Sequence, residues 1–386
     1  MALIDLRIEV GFAFVITLIV TVVLIPLVRK LAVKLDAIDY PSARRVNMRP
    51  VARLGGVAMF GGMFAGLAFV VLGVSVFDWP NPFIPHPDLE VHYLGVALGI
   101  VIIFIVGFVD DVKDLSPKIK LLGQIVAACV IACSGLLLSN IQNPFGEGYI
   151  EFGIWAYPIT VFYLVAFANI INLIDGLDGL AGGITVISAA TILVFAYSNG
   201  VIDAAFFCVI LIAACIGFLT RNIYPATIFM GDSGSLVLGL SLGVVSLFAV
   251  ARSALVLSLA VPILAAGVPI IDTAFAIIRR KRQHKRIDEA DKGHIHHQLM
   301  RAGFSQTKTV AIMWGWTAVL SVCALLIFFL EPIYRIPVII FIVVLSGFLI
   351  ARLHLLGPVL AHHFHPRKRF RRKDSFETKE SISNKQ

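Results

Sequence analysis

Stretches of about 20 mostly apolar residues recur along nearly the whole chain, and that is the length a helix needs to cross a bilayer. Hydrocarbon satisfies no backbone polar group, so such stretches must close their hydrogen bonds internally, as helices. Candidate spans fall near 10–33, 54–76, 92–109, 120–139, 153–171, 179–198, 201–220, 234–251, 255–278, 310–330 and 336–355. These eleven segments predict an all-α, polytopic membrane protein. Composition agrees: 59% of the 386 residues are hydrophobic, 15% are charged and mean hydropathy is +0.91, against about half and a quarter in soluble proteins. The first stretch is longer than a signal-peptide core and no small-residue cleavage site is evident, so it reads as the first span. The five cysteines (Cys129, Cys133, Cys208, Cys215, Cys323) lie inside apolar stretches without metal-ligand spacing and read as small core residues.

The net charge of +8 would fit a nucleic-acid binder, but the placement of the charges points elsewhere. With the N-terminus outside, 29 of the 32 Lys and Arg residues fall on cytoplasmic connections and only Arg7, Arg252 and Arg335 fall outside. That asymmetry predicts a cytoplasmic C-terminus, a lipid bilayer as partner and no nucleic acid. Residues 1–356 then form one transmembrane domain with cytoplasmic loops at 34–53, 110–120, 172–178, 221–233 and 279–309. The basic segment 357–386 reads as a cytoplasmic tail held near anionic lipid.

Four polar constellations lie on those loops. Asp110-Asp111-x-x-Asp114 directly follows an apolar run, and acids against hydrocarbon are costly enough to be functional candidates. A divalent cation would relieve their mutual repulsion, and oxygen-only donors suit Mg²⁺, or Mn²⁺, over zinc. The alternative is a juxtamembrane cap paired with Lys113 or Lys118. Asn169-x-x-Asn172-x-x-Asp175-x-x-Asp178 runs into Gly179; its amide and carboxylate oxygens suit a metal, a phosphate or a sugar, or else Asp178 is a simple helix cap. Asp232, flanked by glycine and serine, opens a helix where either a cap or a phosphate fits, and beside the other acids it reads as a metal ligand. His294-x-His296-His297 sits among cations with no Cys, Asp or Glu ligand at useful spacing, which favours an anionic ligand over zinc, with a plain solvated loop as the alternative. Acids for a cation, cations for phosphate and a membrane setting together indicate phosphoryl transfer between a soluble and a lipid partner.

The ordered set FVDDVKD, NIINLIDGLDGLAGG, IFMGDSGSL and HIHHQL resembles the polyprenyl-phosphate N-acetylhexosamine-1-phosphate transferases of glycosyltransferase family 4, over about residues 25–310. The HIHH form and Pro41-x-x-Arg44-Arg45 … Arg53-Leu54-Gly55-Gly56 resemble the branch that initiates teichoic acid, common antigen and O-antigen synthesis. The peptidoglycan branch, acting on UDP-MurNAc-pentapeptide, carries consecutive histidines. Asn47 departs from the histidine usual in the first branch.

The resemblance implies transfer of N-acetylhexosamine-1-phosphate, GlcNAc-1-phosphate foremost, from a UDP-sugar to undecaprenyl phosphate in a bacterial plasma membrane. UMP would be released, Mg²⁺ would be the cofactor and a homodimer is admitted. It places Asp110, Asp111, Asp175 and Lys118 at the reaction centre, with Asp110, Asp111 and Asp232 around the metal. Asn169, Asn172, Asp178, His294, His296, His297, Arg45 and Lys120 would contact substrates. A prenyl phosphate has a second pKa of about 6, so orientation matters more than proton abstraction. Two other readings are a CDP-alcohol phosphotransferase, whose motif requires an arginine absent after Asp175-Gly176, and a cation-coupled transporter, which would place its site near the midplane.

Overall fold

The computed structural model describes residues 2–40, 49–83, 91–142, 148–251, 259–283 and 293–352. Arg45, Asn47 and the 357–386 tail lie outside the described residues. The described residues form a bundle of thirteen helices: α1 (Ala2–Lys34), α2 (Gly55–Phe77), α3 (Tyr93–Lys113), α4 (Pro117–Cys133), α5 (Ala156–Ile174), α6 (Leu180–Ser198), α7 (Ile202–Asn222), α8 (Asp232–Ala251), α9 (Ala260–Ala265), α10 (Gly267–Arg282), α11 (Ile295–Arg301), α12 (Gln306–Phe329) and α13 (Pro332–Arg352). Nine of them, among the described residues, are long and apolar enough to cross a membrane, and the all-α, multi-pass membrane architecture holds.

The other two expected spans take a different form. The segment expected at 120–139 becomes α4, which starts three residues earlier and stops at Cys133, where Gly135 at φ +93° turns the chain away. The segment expected at 255–278 divides into α9 and α10 at Ala266, with 252–258 outside the described residues. Pro262 and Pro269 remove two amide donors from that stretch, which weakens a continuous helix there. Two small antiparallel pairs were not anticipated: β1 (Ile38–Asp39) with β2 (Val51–Ala52), and β3 (Asn140–Gln142) with β4 (Tyr149–Glu151).

Helix α8 is the axis of the bundle. It packs against α2, α3, α5, α6 and α7 and is buried from Ser233 to Val250. Close approach is obtained by pairing small residues: a Cβ on Gly56 of α2 would come within 2.1 Å of the Gly234 backbone of α8. In lipid, where apolar side chains gain nothing by leaving water, such backbone proximity is a main source of helix association. At the rim, α13 packs on α12 and is otherwise exposed to the surroundings of the bundle.

Candidate active site

Consecutive spans run up and down, so the C-terminal ends of α3, α5 and α7 share one end of the bundle with the N-terminal ends of α6 and α8. A cavity of about 900 Å³ opens there. Its wall includes Asp111, Asn172, Asp175, Asp178, Asp232, His296 and His297. The sequence motifs therefore converge on one space.

Helix α3 runs to Lys113, so Asp110 and Asp111 are helical, not loop, residues. Their side chains diverge by the 100° per residue of a helix. Asp110 accepts from the Leu115 N–H at 2.9 Å and faces Lys120 Nζ at 3.7 Å. Asp111 turns inward and is 3% exposed. Its Oδ1 accepts from the Asp232 N–H at 2.8 Å and its Oδ2 from the Ser233 N–H at 2.9 Å. The start of α8, read from sequence as a place for phosphate, thus already holds a carboxylate, which satisfies two of the four amides a helix leaves unpaired.

Three further devices place Asp232. The chain before it pairs with the β2–α2 junction, Phe229 N–H donating to Ala52 O at 2.7 Å and Gly56 N–H to Met230 O at 2.8 Å. Gly231 then turns at φ +70°, a backbone conformation that costs other residues about 1–2 kcal/mol. A Cβ there would also lie 2.2 Å from Arg53 O and 2.5 Å from Asp111 Oδ2. Finally, Asn172 Nδ2 donates to Asp232 Oδ1 at 2.9 Å and to Ser235 Oγ at 2.8 Å. The free side of Asp232 pairs with the Lys120 ammonium, which so bridges Asp232 and Asp110. Lys118, two residues earlier, is exposed; neither it nor Lys120 nor Asp110 lines the cavity, and the latter two reach it only through Asp232.

Helix α5 stays α-helical to Ile174, so its three-residue spacing fans the polar side chains apart. Asn169 points to α4, where it exchanges hydrogen bonds with the buried Gln124, and does not line the cavity. Asn172 reaches α8, and Asp175 caps the helix inside the cavity. Burial first, then the charges of Asp111 and Asp178, push the Asp175 carboxyl up to about 7. Asp178 accepts from the Ala226 N–H at 2.9 Å, and burial raises its pKa too. Gly179, not Asp178, stands at the N-cap of α6.

The histidine segment forms the short helix α11. His296 and His297 line the cavity, and a Cβ on Gly176 would meet His296 Nε2 at 2.8 Å. Burial, then the neighbouring His297, push the His296 imidazole down to about 3, so it is neutral at physiological pH. His294 faces away from the cavity and meets Asp272 of α10.

Four contributors were missed from sequence. Arg53 holds the end of α3, its Nε donating to Asp111 O at 3.0 Å and its Nη2 to Asp114 Oδ1 at 2.8 Å. Arg49 and Asp39 also line the cavity. Buried Asn222 links Gly179 N–H to Ile228 O, tying the start of α6 to the approach of α8. Arg53 stands in the Arg53-Leu54-Gly55-Gly56 segment singled out from sequence, but with no role given to it; Asp39, Arg49 and Asn222 sit in no spaced motif.

Among the described residues, no three acidic or histidine side chains close into a metal cage. The donors nonetheless fit Mg²⁺, which takes one or two carboxylates and completes its shell with water and substrate phosphates. Asp110 and Asp232 share one cationic partner, the Lys120 ammonium, and both offer only oxygen.

A family model described as glycosyl transferase family 4 matches residues 93–250. A protein of Bacillus subtilis (strain 168), named a probable undecaprenyl-phosphate N-acetylglucosaminyl 1-phosphate transferase, is 38% identical over 320 residues, covering 83% of this chain and 85% of its own. The chain belongs to glycosyl transferase family 4. A decaprenyl-phosphate N-acetylglucosaminephosphotransferase of Mycolicibacterium smegmatis is 34% identical, with 79% of each chain covered. A phospho-N-acetylmuramoyl-pentapeptide-transferase of Chloroherpeton thalassium is 32% identical, covering 70% of this chain and 79% of its own. The family match runs from α3 to α8 and so includes Asp111, Asp175, Asp178 and Asp232 of the cavity, but not Asp39. Arg49, Arg53 and the histidine helix of this family member lie outside it.

Proposed function

We propose that the chain transfers N-acetylglucosamine-1-phosphate from UDP-GlcNAc to undecaprenyl phosphate at the cytoplasmic face of a bacterial plasma membrane. The observation that carries this is the convergence of Asp111, Asp175, Asp232, His296 and His297 on one cavity at a single end of a membrane bundle. A soluble nucleotide and a lipid phosphate meet only at such a place.

In the step, an oxygen of the lipid phosphate attacks the phosphorus that carries the sugar. That P–O bond forms as the bond to the uridylyl oxygen breaks, and UMP leaves with the electron pair. The lipid phosphate is mostly dianionic at neutral pH, so the attacking oxygen needs no strong base. Asp111, with both oxygens on the amides of α8, is an orienting group that fixes Asp232. Asp232 and Asp110 would hold Mg²⁺, which neutralises the diphosphate when bound. Lys120, whose ammonium pairs with Asp232, would neutralise phosphate once released from it, a role that no ion pair with the site's acids supports for the exposed Lys118. His296 and His297 would contact the sugar nucleotide, with Asn172 and Asp175 opposite. The placement of 29 of 32 basic residues on one side supports the cytoplasmic orientation.

Purified protein given undecaprenyl phosphate, Mg²⁺ and UDP-GlcNAc should release UMP and form a lipid-linked sugar. Turnover with UDP-MurNAc-pentapeptide alone would move the chain to the peptidoglycan branch. Absence of UMP with every UDP-sugar would remove the transferase reading.

A further inference from the structure

Helix α10 carries a single acid, Asp272, in the run GVPIIDTAFAII. It is 2% exposed and lies outside the cavity wall. Its Oδ2 meets His294 Nδ1 at 2.7 Å and its Oδ1 accepts from the Ile295 N–H at 2.7 Å. A carboxylate can only accept, so His294 donates from Nδ1 and is held in one tautomer, with its ring fixed in the plane of that bond.

The ring of His294 lies nearly parallel to that of His296, centroids 5.7 Å apart at 8°, and His296 in turn contacts His297 at 4.2 Å. His296 needs this support. Its Nδ1 is buried with no hydrogen-bond partner among the described residues, so packing between His294 and the Gly176 turn sets its orientation. We infer that Asp272 and His294 form a buried positioning dyad that fixes the His296 ring and so shapes the sugar-nucleotide side of the cavity. The inference rests on the donor reading above. Asp272 and His294 are positioning residues, since neither lines the cavity.

Two substitutions separate this role from simple support of α11. Asp272→Asn keeps a carbonyl oxygen for Ile295 but turns an amide NH₂ toward His294, driving its proton to Nε2. His294→Gln removes the ring and leaves the Ile295 cap intact. Both variants should raise the KM for UDP-GlcNAc by at least ~10-fold, as small misplacements of binding groups do, with a smaller change in kcat. The double variant should be no worse than the poorer single one. A wild-type KM in either folded variant, or effects that multiply, would overturn the dyad. Should Asp272→Asn fail to fold, His294→Gln carries the same KM test.

A readout independent of the donor keeps the two readings apart. In ¹⁵N-histidine-labelled protein, His294 should show a protonated Nδ1, and Asp272→Asn or His294→Gln should shift the His296 resonances. Unshifted His296 signals would sink the dyad even where UDP-GlcNAc is a substrate. Shifted signals in a protein that releases no UMP would keep the dyad and remove the donor.

Discussion

Asp111 and Asp232 share one cavity, yet their surroundings ask different things of them. Asp232 has one oxygen on Asn172 and the other on Lys120, so Asp232→Asn should keep the fold and lower turnover by at least ~10²-fold, the usual cost of one preorganised charged group. Asp111 holds two buried amides of α8. In Asp111→Asn one of those amides faces an NH₂ group, which costs about 1–3 kcal/mol. That variant should therefore lose both melting temperature and turnover, and an unchanged melting temperature would contradict the capping role. Lys120→Ala should depress kcat strongly while the exposed Lys118→Ala leaves it near wild type, and equal losses would show that the ion pairs around Lys120 have no part in turnover. His296 supplies the pH dependence. Its folded pKa of about 3 lies below the unfolded value of about 6.5. Between those values the unfolded chain binds a proton that the fold does not, so stability falls as pH drops. By pH 5 the loss is about 2 kcal/mol. In His296→Gln the melting temperature should fall less between pH 7 and pH 5 than in the wild type, and an unchanged slope would place the acid sensitivity elsewhere.

At the scale of elements, the site depends on how α8 begins. The turn at Gly231 brings the Ala52–Gly56 segment, Asp111 and the first amides of α8 together. Gly231→Ala would place a methyl group against Arg53 O and force a left-handed backbone, and both effects should lower the melting temperature and displace Asp232. Turnover should fall with it, and a fully active Gly231→Ala variant would show that this junction has slack. The sequence already marked Asp232 as a helix opening, and Asp110, Asp111, Asn172 and Asp175 as polar groups on cytoplasmic connections. It did not reveal that α8's amides would be taken by Asp111, because partners 121 residues apart leave no local spacing. Asp272 was missed for another reason. A lone acid in an apolar run is absorbed into a span when only clusters are sought, although its cost in hydrocarbon is the same signal that exposed Asp110 and Asp111. Asn169 shows the converse error. Its place in the three-residue series suggested a cavity wall, but an α-helix advances each third residue by about 60° about its axis, which delivers Asn169 to Gln124 instead.

At the scale of the whole molecule, the helical, membrane-spanning class was legible because hydrocarbon admits so few alternatives, and span lengths were less so because proline and glycine divide helices without changing hydropathy. The mechanism requires something further, that the cavity open to the side where nucleotides are made. Gln283 ends α10 beside four consecutive basic residues, Arg279–Arg282, while Gln142 ends β3, on the connection between α4 and α5, which belongs to the opposite end of the bundle. Single cysteines at these positions, in a chain whose five native cysteines have been replaced, give a direct measurement in intact cells. The cysteine at Gln142 should react with a membrane-impermeant thiol reagent, and the one at Gln283 should react only after the membrane is opened. The two positions also test the short α4 and the divided α9–α10 segment. If either failed to carry the chain across, both residues would lose their predicted sides together or one would change alone. Labelling at Gln283 together with protection of Gln142 in intact cells would place the acidic cavity outside, where no cytosolic UDP-sugar reaches it, and the proposed reaction would fall with the topology.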